Sequence, residues 1–128
     1  MRNHEDLEVS RKAPALTLSL YQLTNGFPKS EMFGLTSQIR RAAASIEANL
    51  AEGCGRWSDP ELARFVRIAM GSASELQCHL LLARDLGFIG FKEHSGTLSR
   101  LTSVRQMLVA LLRAIDRGRK QGSKVPDS

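Results

Sequence analysis

Residues Gln38–Arg56 read QIRRAAASIEANLAEGCGR, and Ser58-Asp59-Pro60-Glu61 follow almost at once. Leu35, Ile39, Ala42, Ile46 and Leu50 recur at helical spacing, which predicts a helix from Leu35 to Ala51 or Glu52. Small residues crowd this helix (Ala42, Ala43, Ala44, Ser45, Ala48, Ala51), so another backbone can come close. Gly53 and Gly55 stand where the last carbonyls need a cap, and they are expected to stop the helix there. Ser58 to Glu61 fits a capping box, with Pro60 inside the first turn of the next helix. Together these features predict the corner of an antiparallel helical hairpin.

Working outward, Leu62, Phe65, Ala69, Leu76, Leu80 and Ala83 trace a heptad-like seam that carries the second arm of the hairpin to Leu86, where Gly87 ends it. Upstream, Leu16, Leu20 and Leu23 form the stripe of a helix from Ala13 to Thr24, with Pro14 suited to its first turn and Asn25-Gly26 to its end. Downstream, Leu98, Leu101, Leu108, Leu112 and Ile115 repeat at three and four from Ser95 or Gly96 to Asp116, with Arg105 interrupting. The fold class is therefore all-α, an antiparallel up-down-up-down four-helix bundle. Val104, Met107, Val109, Ala110 and Leu111 widen the apolar surface of the last helix beyond one stripe, so the bundle is expected to self-associate. The expected organisation is a polar lead-in (1–12), the bundle (13–118) and a basic flexible tail (119–128).

At 128 residues the chain fits one domain with a core of its own. Valine, isoleucine and threonine never alternate as in strands, which agrees with the helical reading. The net charge of +5 favours polyanionic partners without naming one. No run of membrane-spanning length and no charged-then-apolar leader is present, so no membrane role is expected and the location expected is the cytoplasm. Cys54 and Cys78 lie too far apart along the hairpin to bridge, and His4, His79 and His94 stand alone, so neither a metal site nor a cofactor is expected.

The polar residues of the hairpin admit two readings. With the turn at Arg56 to Ser58, Arg41 falls opposite Glu75, Ser45 opposite Gly71, Asn49 opposite Arg67 and Glu52 opposite Arg64. In the first reading Gln38, Ser45, Asn49, Glu52, Gly53, Gly55, Gly71, Ser72 and Glu75 fix the register of two packed helices. In the second, Arg40, Arg41, Arg56, Arg64, Arg67, Arg117, Arg119 and Lys120 hold phosphate backbones, the last three as a mobile tail contact. Trp57 serves equally as an anchor for a protein partner or as a platform for a base.

The spacing Q-x-x-R-A-x-x-S-I-x-x-N-x-A-E-G-x-G-R, here Gln38 to Arg56, and then I-A-x-G-S-x-x-E-L, here Ile68 to Leu76, resembles the bacterial four-helix-bundle family of the ribosomal RNA intervening-sequence proteins. The resemblance extends upstream through Asp6-Leu7-Glu8-Val9, Tyr21, Phe27-Pro28 and Gly34-Leu35, and downstream to Leu86-Gly87. Ser10 stands where that family usually has an aromatic residue. More distantly the chain is similar to accessory proteins of diversity-generating retroelements. The resemblance implies a homopentamer and an association with nucleic acid, RNA ahead of DNA.

Neither a helix-turn-helix with a basic recognition face, nor a zinc knuckle, nor an RNA-recognition aromatic signature is present, and Gly53-Cys54-Gly55 lacks the lysine of a phosphate loop. Glu52 and Glu75 each face an arginine in the expected register, which suits ion pairs rather than acid-base catalysis. The expectation is a basic, oligomeric, non-enzymatic accessory factor that binds phosphate backbones without sequence preference. The alternative is a protein-interaction scaffold with no nucleic-acid role.

Overall fold

The computed structural model describes residues 7–123, with side chains as far as residue 118. The elements are α1 (Glu8–Thr24), a single 3-10 turn (Lys29–Glu31), α2 (Leu35–Cys54), α3 (Asp59–Asp85) and α4 (Phe91–Ser123). Short connections make each helix antiparallel to the last, and α4 packs back on α1, closing a four-helix bundle. The core is the set of stripes that the spacing predicts. Leu35, Ile39, Ala42, Ile46 and Leu50 of α2 are buried, as are Leu62, Phe65, Ala69, Leu76, Leu80 and Ala83 of α3. At the pole where α1 leads to α2 and α3 to α4, Phe27 and Phe88 close the core with ring centroids 5.5 Å apart.

Three helix ends depart from expectation. α1 begins at Glu8, not Ala13, because Val9 continues the buried stripe Ala13, Leu16, Leu20 one turn further back. Pro14 therefore sits inside the helix rather than in its first turn, and the carbonyl of Ser10 loses its usual helical donor. α4 begins at Phe91, four residues early, because the Glu93 carboxylate accepts from the Gly90 N–H at 3.1 Å and caps the start from inside. α4 also runs through Gly118 to Ser123, so residues 119–123 of the expected tail are helical. A glycine ends a helix where the backbone turns left-handed, and among the described residues that happens only at Gly87, with φ 80°. There Phe88 N–H donates to Ala83 at 2.9 Å and Gly87 N–H to Arg84 at 3.0 Å, a Schellman ending.

The corner glycines likewise divide. Gly55 has φ −80°, so it is an ordinary right-handed cap rather than a left-handed stop. Gly53 is inside α2 and buried, and a β-carbon there would come within 2.8 Å of Phe65 Cβ and 3.2 Å of Leu62 Cδ1. Its role is close approach, not termination. Gly71, expected opposite Ser45, is exposed, and a β-carbon there would meet no neighbouring element within 4 Å.

The surplus apolar surface lies partly where expected and partly elsewhere. On α4, Val104 is buried, Met107, Val109 and Leu111 are half-buried and Ala110 is exposed, whereas Leu18, Phe33, Trp57, Leu82, Leu86 and Phe91 are the most exposed large apolar residues apart from Met32. α4 has 33 residues and α1 only 17, so the C-terminal end of α4 runs past its neighbour. Arg105, which interrupts the α4 stripe, donates to Gln77 at 2.7 Å while its Nε and Nη2 are buried without a partner. Gly53→Ala is expected to lower stability to urea by a net ~1–2 kcal/mol, crowding outweighing the gain in helix propensity, while Gly55→Ala shifts it by less than ~0.5 kcal/mol. Equal midpoints for the two variants would show that close approach at Gly53 is dispensable.

Candidate nucleic-acid interface

The hairpin of α2 and α3 gathers most of the candidate residues, in three groups. In the first, Arg41 Nη2 donates to Glu75 and, at 2.7 Å, to Gln38 Oε1, and His79 Nε2 lies 3.3 Å from Glu75 Oε1. The expected Arg41–Glu75 pair is therefore present. Burial pushes the Glu75 carboxyl up, but the hydrogen bonds from His79 and Arg41 and the Arg41 charge outweigh it, so Glu75 titrates below the ordinary carboxylate range.

In the second group, the Ser45 and Ser72 hydroxyls meet at 2.8 Å, and Asn49 Nδ2 donates to Ser45 O at 2.8 Å and Ser45 Oγ at 3.0 Å. Ser45 thus faces Ser72, not Gly71, and Asn49 turns back on its own helix instead of reaching Arg67. The cause is local: an amide one turn away from a carbonyl and a hydroxyl satisfies itself without crossing the interface.

The third group is the corner. Arg56 pairs with Glu52 at 2.6 Å and Arg64 with Glu61 at 3.2 Å, which replaces the expected Glu52–Arg64 contact, since partners three and four residues away along the chain are nearer. Glu61 turns to Arg64 while its own N–H donates to Ser58 Oγ at 3.3 Å, so only half of the expected capping box is made. Both guanidinium groups lie over the Phe65 ring, Arg56 at 5.0 Å and Arg64 at 4.4 Å. Beside them Trp57 projects from the turn, 88% exposed.

Two further candidates separate from these. Arg40 is held by α1: its Nε donates to Thr24 Oγ1 at 2.9 Å, its Nη2 to Asn25 Oδ1 at 3.1 Å and Tyr21 O at 3.3 Å, and it stacks over the Tyr21 ring. Those bonds tie the end of α1 to α2 and leave little of Arg40 for an outside ligand. Arg67 and Arg117 are exposed and, among the described residues, have no ion-pair partner. The side chains of Arg119 and Lys120 lie outside the described residues. Cys54 is buried and Cys78 exposed, and no disulfide joins them. Among the described residues no cluster of His, Cys, Asp and Glu could hold a metal, and no helix is long and apolar enough to cross a membrane.

Fold and hairpin together define an all-helical, four-helix-bundle protein of the kind built around a Gly53-type corner. Residues 5–110 match the model of the 23S rRNA-intervening sequence protein family, and the chain belongs to that family. Among solved structures it is similar to a protein of unknown function from the S23 ribosomal protein family of Bacteroides thetaiotaomicron VPI-5482, 20% identical over 81% of this chain and 97% of that one, with a TM-score of 0.73. At that identity the likeness concerns the fold. No curated protein matches the chain.

The depressed Glu75 has a pH signature. A carboxylate whose folded pKa is lowered stabilises above its unfolded pKa, and that contribution is lost as pH falls through the folded value. With the Arg41 and Glu75 side chains 57% and 36% exposed, solvent screening keeps it small. Glu75→Gln is expected to be less stable than the parent by ~0.5 kcal/mol at neutral pH, with the difference closing below the ordinary carboxylate range. Urea denaturation of both proteins across acidic pH measures this, and a gap that persists at the lowest pH would refute it.

Proposed function

We propose that this protein is a non-enzymatic RNA-associated accessory factor that binds phosphate backbones without sequence preference and works as a homo-oligomer, a pentamer by its family resemblance. The observation that carries the reading is the corner: a nearly fully exposed Trp57 fixed beside two guanidinium groups that are themselves stacked on Phe65. An indole face takes an unpaired base whatever its identity, and the adjacent cations suit the phosphates on either side of it. The glutamates now paired with Arg56 and Arg64 do not bar this, since exposed pairs of this kind are weak and yield to a phosphate. The net charge of +5 and a family named for an intervening sequence of 23S rRNA support RNA over other polyanions.

A second reading, a protein-interaction scaffold, draws on Phe33 at 93%, Phe91 at 76% and Leu86 at 52% exposure, apolar surface with no evident use in holding RNA.

Binding of labelled single-stranded RNA and DNA across a salt series tests the first reading. Affinity is expected to fall steeply with salt, and Trp57→Ala to weaken binding about tenfold at constant salt. Absence of binding by the parent protein even at low salt removes the RNA reading and leaves the scaffold. Light scattering at micromolar concentration is expected to give a multiple of the 14.1 kDa chain, and a monomer would overturn the assembly.

A further inference from the structure

The basic residues that the hairpin does not use point to a second location. Between α1 and α4 run two cavities of about 300 Å³ each, which meet at Arg100. Lys12 and Arg100 line the first, over a floor of Leu16 and Val104, and Ser103 stands at its edge. Ser19, Gln22 and Thr97 line the second, which ends at Glu93. From Lys12 to Leu23 the α1 wall of this trough measures ~16 Å at ~1.5 Å per residue.

Its chemistry is that of a backbone contact. Lysine, arginine, serine, threonine and glutamine are the side chains that donate to phosphate oxygens, and here they face one another across a single crevice. Lys12 and Arg100 are exposed, and among the described residues neither has a carboxylate at ion-pair distance, in contrast to Arg41, Arg56 and Arg64. The charge is graded along the trough. Lys12 lies near the start of α1, at the pole of the Trp57 corner, while Glu93 stands at the opposite pole and repels phosphate. Packed helices lie ~8–10 Å apart axis to axis, so the crevice between them presents its donors to a single backbone.

We infer that the α1–α4 trough is a seat for the backbone of single-stranded RNA, with Lys12 and Arg100 holding successive phosphates and Glu93 marking where the strand leaves. This rests on the RNA reading above and assigns it a second surface, one that shares no residue with the hairpin.

The test is fluorescence anisotropy with a labelled oligouridylate at low and moderate salt, using full-length Lys12→Gln/Arg100→Gln and, as a charge-matched control, Lys29→Gln/Arg113→Gln. All four positions are exposed, so both variants are expected to keep the parental circular dichroism and urea midpoint. The trough variant is expected to bind at least tenfold more weakly than the control, with the slope of log affinity against log salt reduced by about 1.4 for two lost phosphate contacts on a single strand. Glu93→Gln, which removes the repelling charge and keeps an acceptor for the Gly90 N–H, is expected to tighten binding two- to threefold. Equal losses in the trough variant and the control would overturn the trough while leaving RNA binding in place, with net charge alone as its cause. Tighter binding to a DNA strand of the same length, or to a duplex, would overturn the assignment of the occupant. No binding by the parent protein would remove both this inference and the RNA reading.

Discussion

The bundle depends on the approach of α2 to α3 at Gly53, where the missing side chain lets Phe65 and Leu62 lie against the backbone of α2. Small buried residues continue the same logic along both helices, Ala42 and Ala43 on one and Ala69 and Ala73 on the other, so the two axes can stay close for several turns. Once two rods are that close, sliding by one turn would set large side chains against backbone. The Ser45–Ser72 bond and the Arg41–Glu75 pair then select one alignment. Their energies are small beside the burial of Ile46, Leu50, Leu76 and Leu80, and what they contribute is register rather than cohesion.

What could be read from the sequence follows the range of the forces involved. The α2 and α3 stripes were legible because a helix stripe is a local pattern, and Gly87 because its ending is built from adjacent residues. The start of α1 was not, since Val9 reads as part of a polar lead-in until the other helices bury it. Gly118 reads as a stop only if glycine is taken to end helices by itself, whereas it merely permits the turn that does. In the hairpin, counting residues from the turn finds the Arg41–Glu75 pair in mid-helix but fails near the corner, where Glu52 and Glu61 have arginines three or four residues along the chain within reach. The trough cations escaped notice for a different reason: Lys12 and Arg100 become neighbours only when the first helix meets the last, a contact that no local spacing encodes.

The distribution of charge has more bearing on function than its sum. In the hairpin Glu52, Glu61, Glu75 and Asp85 each have a cation, so a polyanion approaching there meets exchangeable pairs. Among the described residues, Lys12, Arg67, Arg100 and Arg117 have no carboxylate at ion-pair distance. Cations of that kind give a phosphate their full attraction, because no existing bond must be exchanged. The corner supplies the complementary ingredient, an aromatic face with no net field of its own. In the proposed RNA reading, stacking at the corner and charge along the trough would be two separable contributions to holding one strand.

Assembly would change how these contributions combine. The exposed apolar residues Leu82 and Leu86 belong to α3 and its ending, and Phe91 to the first turn of α4, so they occupy the loop pole and the outer face of α3. None of them lines the α1–α4 trough. Copies that bury that apolar surface against one another would leave each trough open, and a strand leaving one seat would find the next within the same particle. The second seat then acts at an effective concentration set by the spacing of the copies rather than by bulk, which multiplies affinity without any new contact. Under the proposed assembly a weak, sequence-blind grip by one subunit would suffice.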